Sequence, residues 1–300
     1  MLERLTLELT TKCNLRCIHC FQEHDPYSTM DTKLALSLIN EANKLNFGQI
    51  VLTGGEPTLH RDFSIIYRHA RALGFIINIF TNATVIPVKV KKIITNMPPH
   101  IVSITLYGLD QDTFYTMTGR RLDFNKALDN VKFYKKLGSD VVLRFHALTV
   151  TKKSISAFIK FAKSVSCDYG VNVQVIPRLN GKDDNLNYRL SPKEIKEIES
   201  KYNFDFIGHN PTEVPIRECD LGDNAYITAN GKLQGCPIYT SLFETVDNNN
   251  LKEQMQKLSL AGNYVRKQRH LNRGVCPAWL HLEGTKAVKS FLNNLGAKDL

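Results

Sequence analysis

The chain has 300 residues, 43% of them hydrophobic and 23% charged, which is enough apolar material for one large or two small packed domains and excludes a disordered composition. Its formal charge is +10, but the lysines scatter over predicted helix surfaces without an arginine-rich tail or an aromatic-laced basic patch, so a nucleic-acid partner is not expected. The opening MLERLTLELT has no signal-peptide core and no apolar run is long enough to span a bilayer, which predicts a cytoplasmic protein without a membrane partner, and in that compartment seven cysteines point away from disulfides.

The predicted strands, in chain order, are LTLELT (5–10), IVLTG (50–54), IINIFTN (76–82), IVSITLYG (101–108), VVLRFHALT (141–149) and VNVQVIP (171–177). Helical patterns lie between them. In MDTKLALSLINEANKLNFG, Leu34, Leu38, Ala42 and Leu45 share one face, and Gly48 can stop the helix. DFSIIYRHARALG ends on Gly74 and FNKALDNVKFYKKLG on Gly138 in the same manner. This rhythm predicts an α/β fold of βα units around a parallel sheet, a partial (β/α)6 TIM-like barrel, with an open doubly wound sheet as the rival. In either, the loops at the carboxyl ends of the strands should carry the chemistry.

The rhythm breaks after Pro177, where RLNGKDDNLNYRLSP is polar and turn-rich. Ser191, Pro192 and Glu194 then open a helix with a capping box. Further on, NAYITANGKLQGC reads as a hairpin turning at Asn230-Gly231. The expected division is a barrel over 1–190, followed over 191–300 by a linker helix and a small C-terminal module.

Between the first strand and the first helix stands TTKCNLRCIHCF (10–21), with Cys13, Cys17 and Cys20 inside eight positions. Thiolates bind soft metals and iron–sulfur clusters. Zinc normally takes a fourth ligand, for which His19 and His24 are near, although His19 lies between two of the cysteines where its ring should point elsewhere. Three thiolates on one loop suit a [4Fe-4S] cluster with one iron open to an exogenous ligand.

This CxxxCxxC spacing after the first strand, LTGGEP (52–57) closing the second, and the six βα units together resemble the radical S-adenosylmethionine (radical SAM) superfamily, over roughly residues 1–180. The resemblance implies that the methionine moiety of S-adenosylmethionine (SAM) chelates the open iron. It also implies that one electron from the cluster cleaves the sulfonium to give a 5′-deoxyadenosyl radical, which removes a hydrogen atom from substrate. Gly54 and Gly55 would let the backbone approach the methionine amine, with Glu56 and Pro57 shaping the turn and Glu56 helping to hold the amine. Asn82 stands where family members place polar residues near the cofactor, and it also suits a local Asx turn. Thr105, in SITLYG, falls where a serine often faces the SAM ribose or carboxylate, and Tyr107 replaces a common acidic residue. Arg120, Arg121 and Arg144 are the candidates for the SAM carboxylate, with Arg144 also a candidate substrate contact. The residue before the third cysteine, usually an aromatic against the adenine, is here His19. An electron donor such as flavodoxin or ferredoxin is the expected partner.

Cys219 and Cys236 bracket the predicted hairpin and Cys276 follows in GVCPAW. This set resembles the shortened SPASM-like, or twitch, modules of some radical SAM enzymes and implies one auxiliary cluster, [4Fe-4S] in preference to [2Fe-2S]. Asp220, His270, His281 or the substrate could supply its fourth ligand, whereas Cys167 reads as core. Enzymes with such modules often act on ribosomally made peptides, by crosslinking, oxidation or epimerisation, so a peptide is the expected substrate. The alternative is a small molecule such as a sugar, aminoglycoside or nucleotide intermediate. KSFLNNLGAKDL, without an arginine-rich end, argues against the guanosine nucleotide of molybdopterin synthesis, and a first strand starting near Leu5 argues mildly against a large leader-binding maturase.

Overall fold

The computed structural model describes residues 4–22, 26–122, 124–176, 178–180, 182–202, 224–234, 246 and 250–271. Period-2 alternation decides the faces of the first strand, β1 (Arg4–Thr10). Leu5, Leu7 and Leu9 are fully buried against helices, while Thr6, Glu8 and Thr10 occupy the opposite, inner face and are nearly as buried. The same division runs through β2 (Gln49–Gly54), β3 (Ile76–Thr81), β4 (Ile101–Leu106), β5 (Asp140–His146) and β6 (Asp168–Asn172). Helices α1 (Thr32–Lys44), α2 (Phe63–Ala72), α3 (Val88–Asn96), α5 (Asn125–Lys136) and α6 (Ile155–Ser164) feed a single core on the outer face. A further helix, α4 (Gln111–Thr118), precedes α5 in the same connection.

The first six strands are parallel and neighbour one another in chain order, with no switch point. That order, with helices on one face, is the partial barrel and not the doubly wound rival. Two expected strands shift. β6 starts at Asp168 rather than at 171, because its ladder with β5 runs from Val142↔Asp168 to His146↔Asn172. Val173 and Val175 stay buried beyond that ladder, so their apolar alternation continues without a partner strand. β5 likewise stops at His146, where the chain turns through Leu148 and Thr151. Gly74 and Gly138 take positive φ as expected, but after α1 the left-handed residue is Asn46 (φ 58), not Gly48. Asparagine tolerates that conformation.

The capping box forms at α7 (Pro192–Tyr202), where the Ser191 N–H donates to Glu194 Oε2 (2.8 Å) and the Glu194 N–H to Ser191 Oγ (3.3 Å). The hairpin also forms, as β7 (Asn224–Ile227) and β8 (Leu233–Gln234), turning at Gly231 with φ 74. β7 does not stand apart: it pairs parallel with β1, Leu5 opposite Ala225 and Leu7 opposite Ile227, so the sheet has eight strands. α8 (Leu251–Leu271) adds Leu251, Met255, Leu258 and Ala261 to the core. Among the described residues no helix is long and apolar enough to cross a membrane.

Candidate functional site

β1 delivers the chain directly into the cysteine loop, and β2 closes against it. The Gly55 N–H donates to the Thr10 carbonyl (2.7 Å) and the Glu56 N–H to that of Lys12 (2.9 Å). A Cβ on Gly55 would stand 2.5 Å from the Thr11 oxygen and 2.6 Å from that of Lys12, and on Gly54 (φ 152) only 2.2 Å from that of Thr10. The two glycines are therefore required by the approach of the loop to β2. On its far side the loop is tied to α4, with the Arg16 and Ile18 N–H groups donating to Thr118 and Met117 (2.9 Å each).

The three thiols sit among Leu15, Phe114, Tyr107 and Phe124. Burial pushes Cys13 up to about 12 and raises Cys17 and Cys20 as well, and the charges of neighbouring thiolates add to the effect at Cys13 and Cys17. Such a group ionises readily only with a cation among the three sulfurs. Among the described residues no three His, Cys, Asp or Glu side chains are grouped as around a single metal ion. Three soft thiolate donors on one loop are a donor set that an iron–sulfur centre takes. His24 lies outside the described residues.

Glu56 is fully buried and wholly occupied by protein donors: Thr58 N–H (3.2 Å) and Oγ1 (2.6 Å), Thr81 Oγ1 (2.9 Å) and Asn82 N–H (2.9 Å). Burial raises its pKa and these hydrogen bonds oppose the rise. Its observed work is to cap the short helical turn that Pro57 opens and to fix the end of β3. Asn82 makes the Asx turn, its Oδ1 accepting from the Thr84 N–H (2.9 Å), and its Nδ2 points to Cys13 Sγ (3.7 Å) and Asn14 Oδ1 (3.0 Å). The Leu15 N–H also donates to Cys13 Sγ (3.4 Å).

The arginine candidates separate. Arg144 lies on the inner face of β5, half-buried, opposite Thr105 on one side and Gly170 on the other. Burial lowers its pKa, and among the described residues it has no ion pair. Arg120 and Arg121 are exposed after α4, with the Arg121 guanidinium 4.6 Å from the centre of the Tyr115 ring.

His19 is half-buried, its ring centre 4.3 Å from that of His146 and 5.9 Å from that of Tyr107. Burial, then His146 and Arg178, hold His19 well below its ordinary value, and burial brings His146 to about 4. His19 Nδ1, His146 Nδ1 and Asn185 Oδ1 are buried without a partner among the described residues. The three side chains are neighbours, since the two imidazoles face each other and Asn185 Nδ2 donates to the His19 carbonyl (3.3 Å). His146 went unnoticed in the sequence, although it shares the Arg144 face by alternation. Asn185 belongs to a polar stretch whose pattern carries no placement signal. Cys167 is buried in the core, as expected. Cys219, Cys236 and Cys276 lie outside the described residues, as do Asp220 and His281; His270 lies in α8, and its side chain is outside the description.

A family model described as the radical SAM superfamily matches residues 7–162. The chain is 25% identical over 258 residues to the tungsten-containing aldehyde ferredoxin oxidoreductase cofactor-modifying protein of Pyrococcus furiosus, covering 77% of this chain and 70% of that one. It is 28% identical over 152 residues to the Fe-coproporphyrin III synthase of Methanosarcina barkeri, covering 49% of this chain and 37% of that one. Among solved structures, Streptococcus suis SuiB superposes with a TM-score of 0.66 at 14% identity, over 86% of this chain and 65% of its own. Native anSMEcpe, with bound AdoMet and the Kp18Cys peptide, gives 0.66 at 14% identity over 97% of this chain and 99% of its own.

Proposed function

The chain belongs to the radical SAM superfamily, and from that we propose that Cys13, Cys17 and Cys20 hold a [4Fe-4S] cluster whose open iron takes SAM. The observation that carries the reading is the set of three thiols, Cys17 buried and Cys13 and Cys20 half-buried, on one loop at the carboxyl end of β1, closed over by Gly54 and Gly55. When bound, the cluster and SAM supply one-electron cleavage of the sulfonium and a 5′-deoxyadenosyl radical able to abstract a hydrogen atom. The chain's own residues do the rest. The Gly54–Gly55 edge, held by Glu56 and Pro57, offers backbone to the methionine moiety. Asn82 directs an N–H at Cys13 and so adjusts the cluster. Arg144, with Thr105 opposite it, is the choice for the SAM carboxylate, because it is an inner-face cation without a partner among the described residues, whereas Arg120 and Arg121 face solvent. His19, His146 and Asn185 offer their unpaired atoms to the adenine.

We further propose an auxiliary cluster on Cys219, Cys236 and Cys276, supported by their spacing and by the hairpin between the first two. Replacing the three with alanine is expected to remove one cluster's iron while sparing SAM cleavage without substrate. Unchanged iron content rules the cluster out.

A ribosomally made peptide is the proposed substrate, with flavodoxin or ferredoxin as electron donor. The peptide reading is supported by the likeness of fold to SuiB, solved with the precursor peptide SuiA, and to anSMEcpe, solved with peptides. The second reading, a small molecule, is favoured by the curated relatives, which are named for cofactor modification, haem-type synthesis and GTP cyclisation. Coexpression with a short peptide encoded beside the gene, followed by mass spectrometry, decides between them. A loss of two hydrogens means crosslinking or oxidation, and a new D-residue at unchanged mass means epimerisation. An unmodified peptide, where the same cells cleave SAM, turns the choice to the small molecule.

A further inference from the structure

The polar stretch after β6 folds back over the cysteine loop as a strap. The Arg178 guanidinium donates through one nitrogen to the Cys20 carbonyl (2.9 Å) and through another to that of Ile18 (3.3 Å). It is gripped from the other side by Asp184, Nε to Oδ1 at 2.8 Å and Nη2 to Oδ2 at 2.9 Å. The backbone follows: the Leu179 N–H donates to the Phe21 carbonyl (2.9 Å), and Asn185 Nδ2 to the carbonyls of His19 (3.3 Å) and Ile176 (2.8 Å). Every residue from Ile18 to Phe21 thus has its carbonyl bound either within the loop's surroundings or by the strap, around the third thiol.

We infer that Arg178 and Asp184 are positioning residues that hold the third cysteine in place and set the reduction potential of the cluster, an inference that rests on the cluster proposed for Cys13, Cys17 and Cys20. Reduction adds a negative charge among three thiolates, and a fixed cation hydrogen-bonded to the Cys20 carbonyl stabilises it. Asp184 opposes the cation, but the two are not equally placed. The Arg178 side chain is 22% exposed and turned to the loop, whereas that of Asp184 is 58% exposed, where water and salt screen it. The cation therefore dominates at the cluster and the carboxylate trims it.

The opposite signs of the two charges make the inference testable on the anaerobically reconstituted full chain. Midpoint potentials are read by titrating the EPR signal that changes when SAM is added. Arg178→Gln is expected to shift the midpoint to more negative values and to speed iron loss in air. Asp184→Asn, which keeps a hydrogen-bond acceptor, is expected to shift it to less negative values. Arg178→Lys keeps the charge without the fork, so it should hold the potential near that of the parent while losing iron faster. Shifts of the same sign in Arg178→Gln and Asp184→Asn, or no shift in either, overturn the inference. If Arg178→Gln binds too little iron to titrate, Asp184→Asn decides alone: an upward shift supports the inference and any other result overturns it. A SAM-responsive signal that persists when Cys13, Cys17 and Cys20 are all alanine would instead sink the cluster assignment, which separates the two failures.

Discussion

Two residues next to the cysteines have sharply defined consequences. Gly55 leaves no room for a methyl group, because the carbonyls of Thr11 and Lys12 stand 2.5 and 2.6 Å from where its Cβ would be. Both obstacles are backbone, so neither can swing aside. Gly55→Ala is expected to cost about 3 kcal/mol and to impair iron loading, measured by urea unfolding and iron assay. Near-parental stability with full loading would show that the loop does not need this closure. His146 is a different case. Free histidine titrates near 6.5, and burial holds His146 at about 4. Between those values the unfolded chain takes up a proton that the native chain refuses. The stability tied to this group is therefore complete above about pH 6.5 and drains away as pH falls toward 4, by about 3 kcal/mol in full. Urea midpoints should fall over that window and fall less in His146→Gln. Parallel pH profiles for the two proteins would show that His146 is not a buried neutral ring.

At the scale of elements, the hairpin is the instructive case. Its strands and its Asn230-Gly231 turn were legible, because alternation and turn chemistry are local. Its pairing with β1 was not, since nothing within residues 224–234 says which strand they meet. The anchor is Glu8 on the inner face of β1. It accepts from Tyr226 Oη (2.8 Å) and the Ala229 N–H (2.9 Å), and also from Gln22, two positions beyond Cys20. An acidic residue in LTLELT reads as a solvent-facing position, yet here it is 3% exposed and joins the hairpin to the end of the cysteine loop. Glu8→Ala is expected to leave Tyr226 and Ala229 with unmet donors, to cost about 3 kcal/mol and to raise hydrogen exchange selectively in β7 and β8. Unchanged protection there would assign the hairpin's attachment to Ala225, Ile227 and Leu233 instead. The strap illustrates the same limit. Arg178, Asp184 and Asn185 sit in a turn-rich run without periodicity, and their hold on residues 18–20 spans about half the chain in sequence. The six strands, by contrast, were readable to within a few residues, with the first three placed most closely.

Across the whole molecule, one division of labour explains why the sequence reads as it does. The outer face of the sheet is a continuous apolar core, from Leu5 in β1 to Val171 in β6. The inner face carries Thr6, Glu8, Asn78, Ser103, Thr105 and Arg144. Loops at the carboxyl ends of these strands bring together the cysteines, Glu56, Asn82 and His146, the arrangement expected of a βα barrel. Three arginines address the site from close range: Arg16 donates to the Cys13 carbonyl (2.8 Å), Arg178 to that of Cys20 (2.9 Å), and Arg144 lies on the inner face of β5. The central claim is that three thiols on one loop hold the cluster that cleaves SAM. The most direct measurement is 5′-deoxyadenosine formation from SAM and dithionite under anaerobic conditions, by the reconstituted parent and by the Cys13→Ala, Cys17→Ala, Cys20→Ala protein. The parent is expected to form 5′-deoxyadenosine, and the triple variant to form none and to hold about four fewer irons. Formation by the triple variant, or none by an iron-loaded parent, would contradict the account.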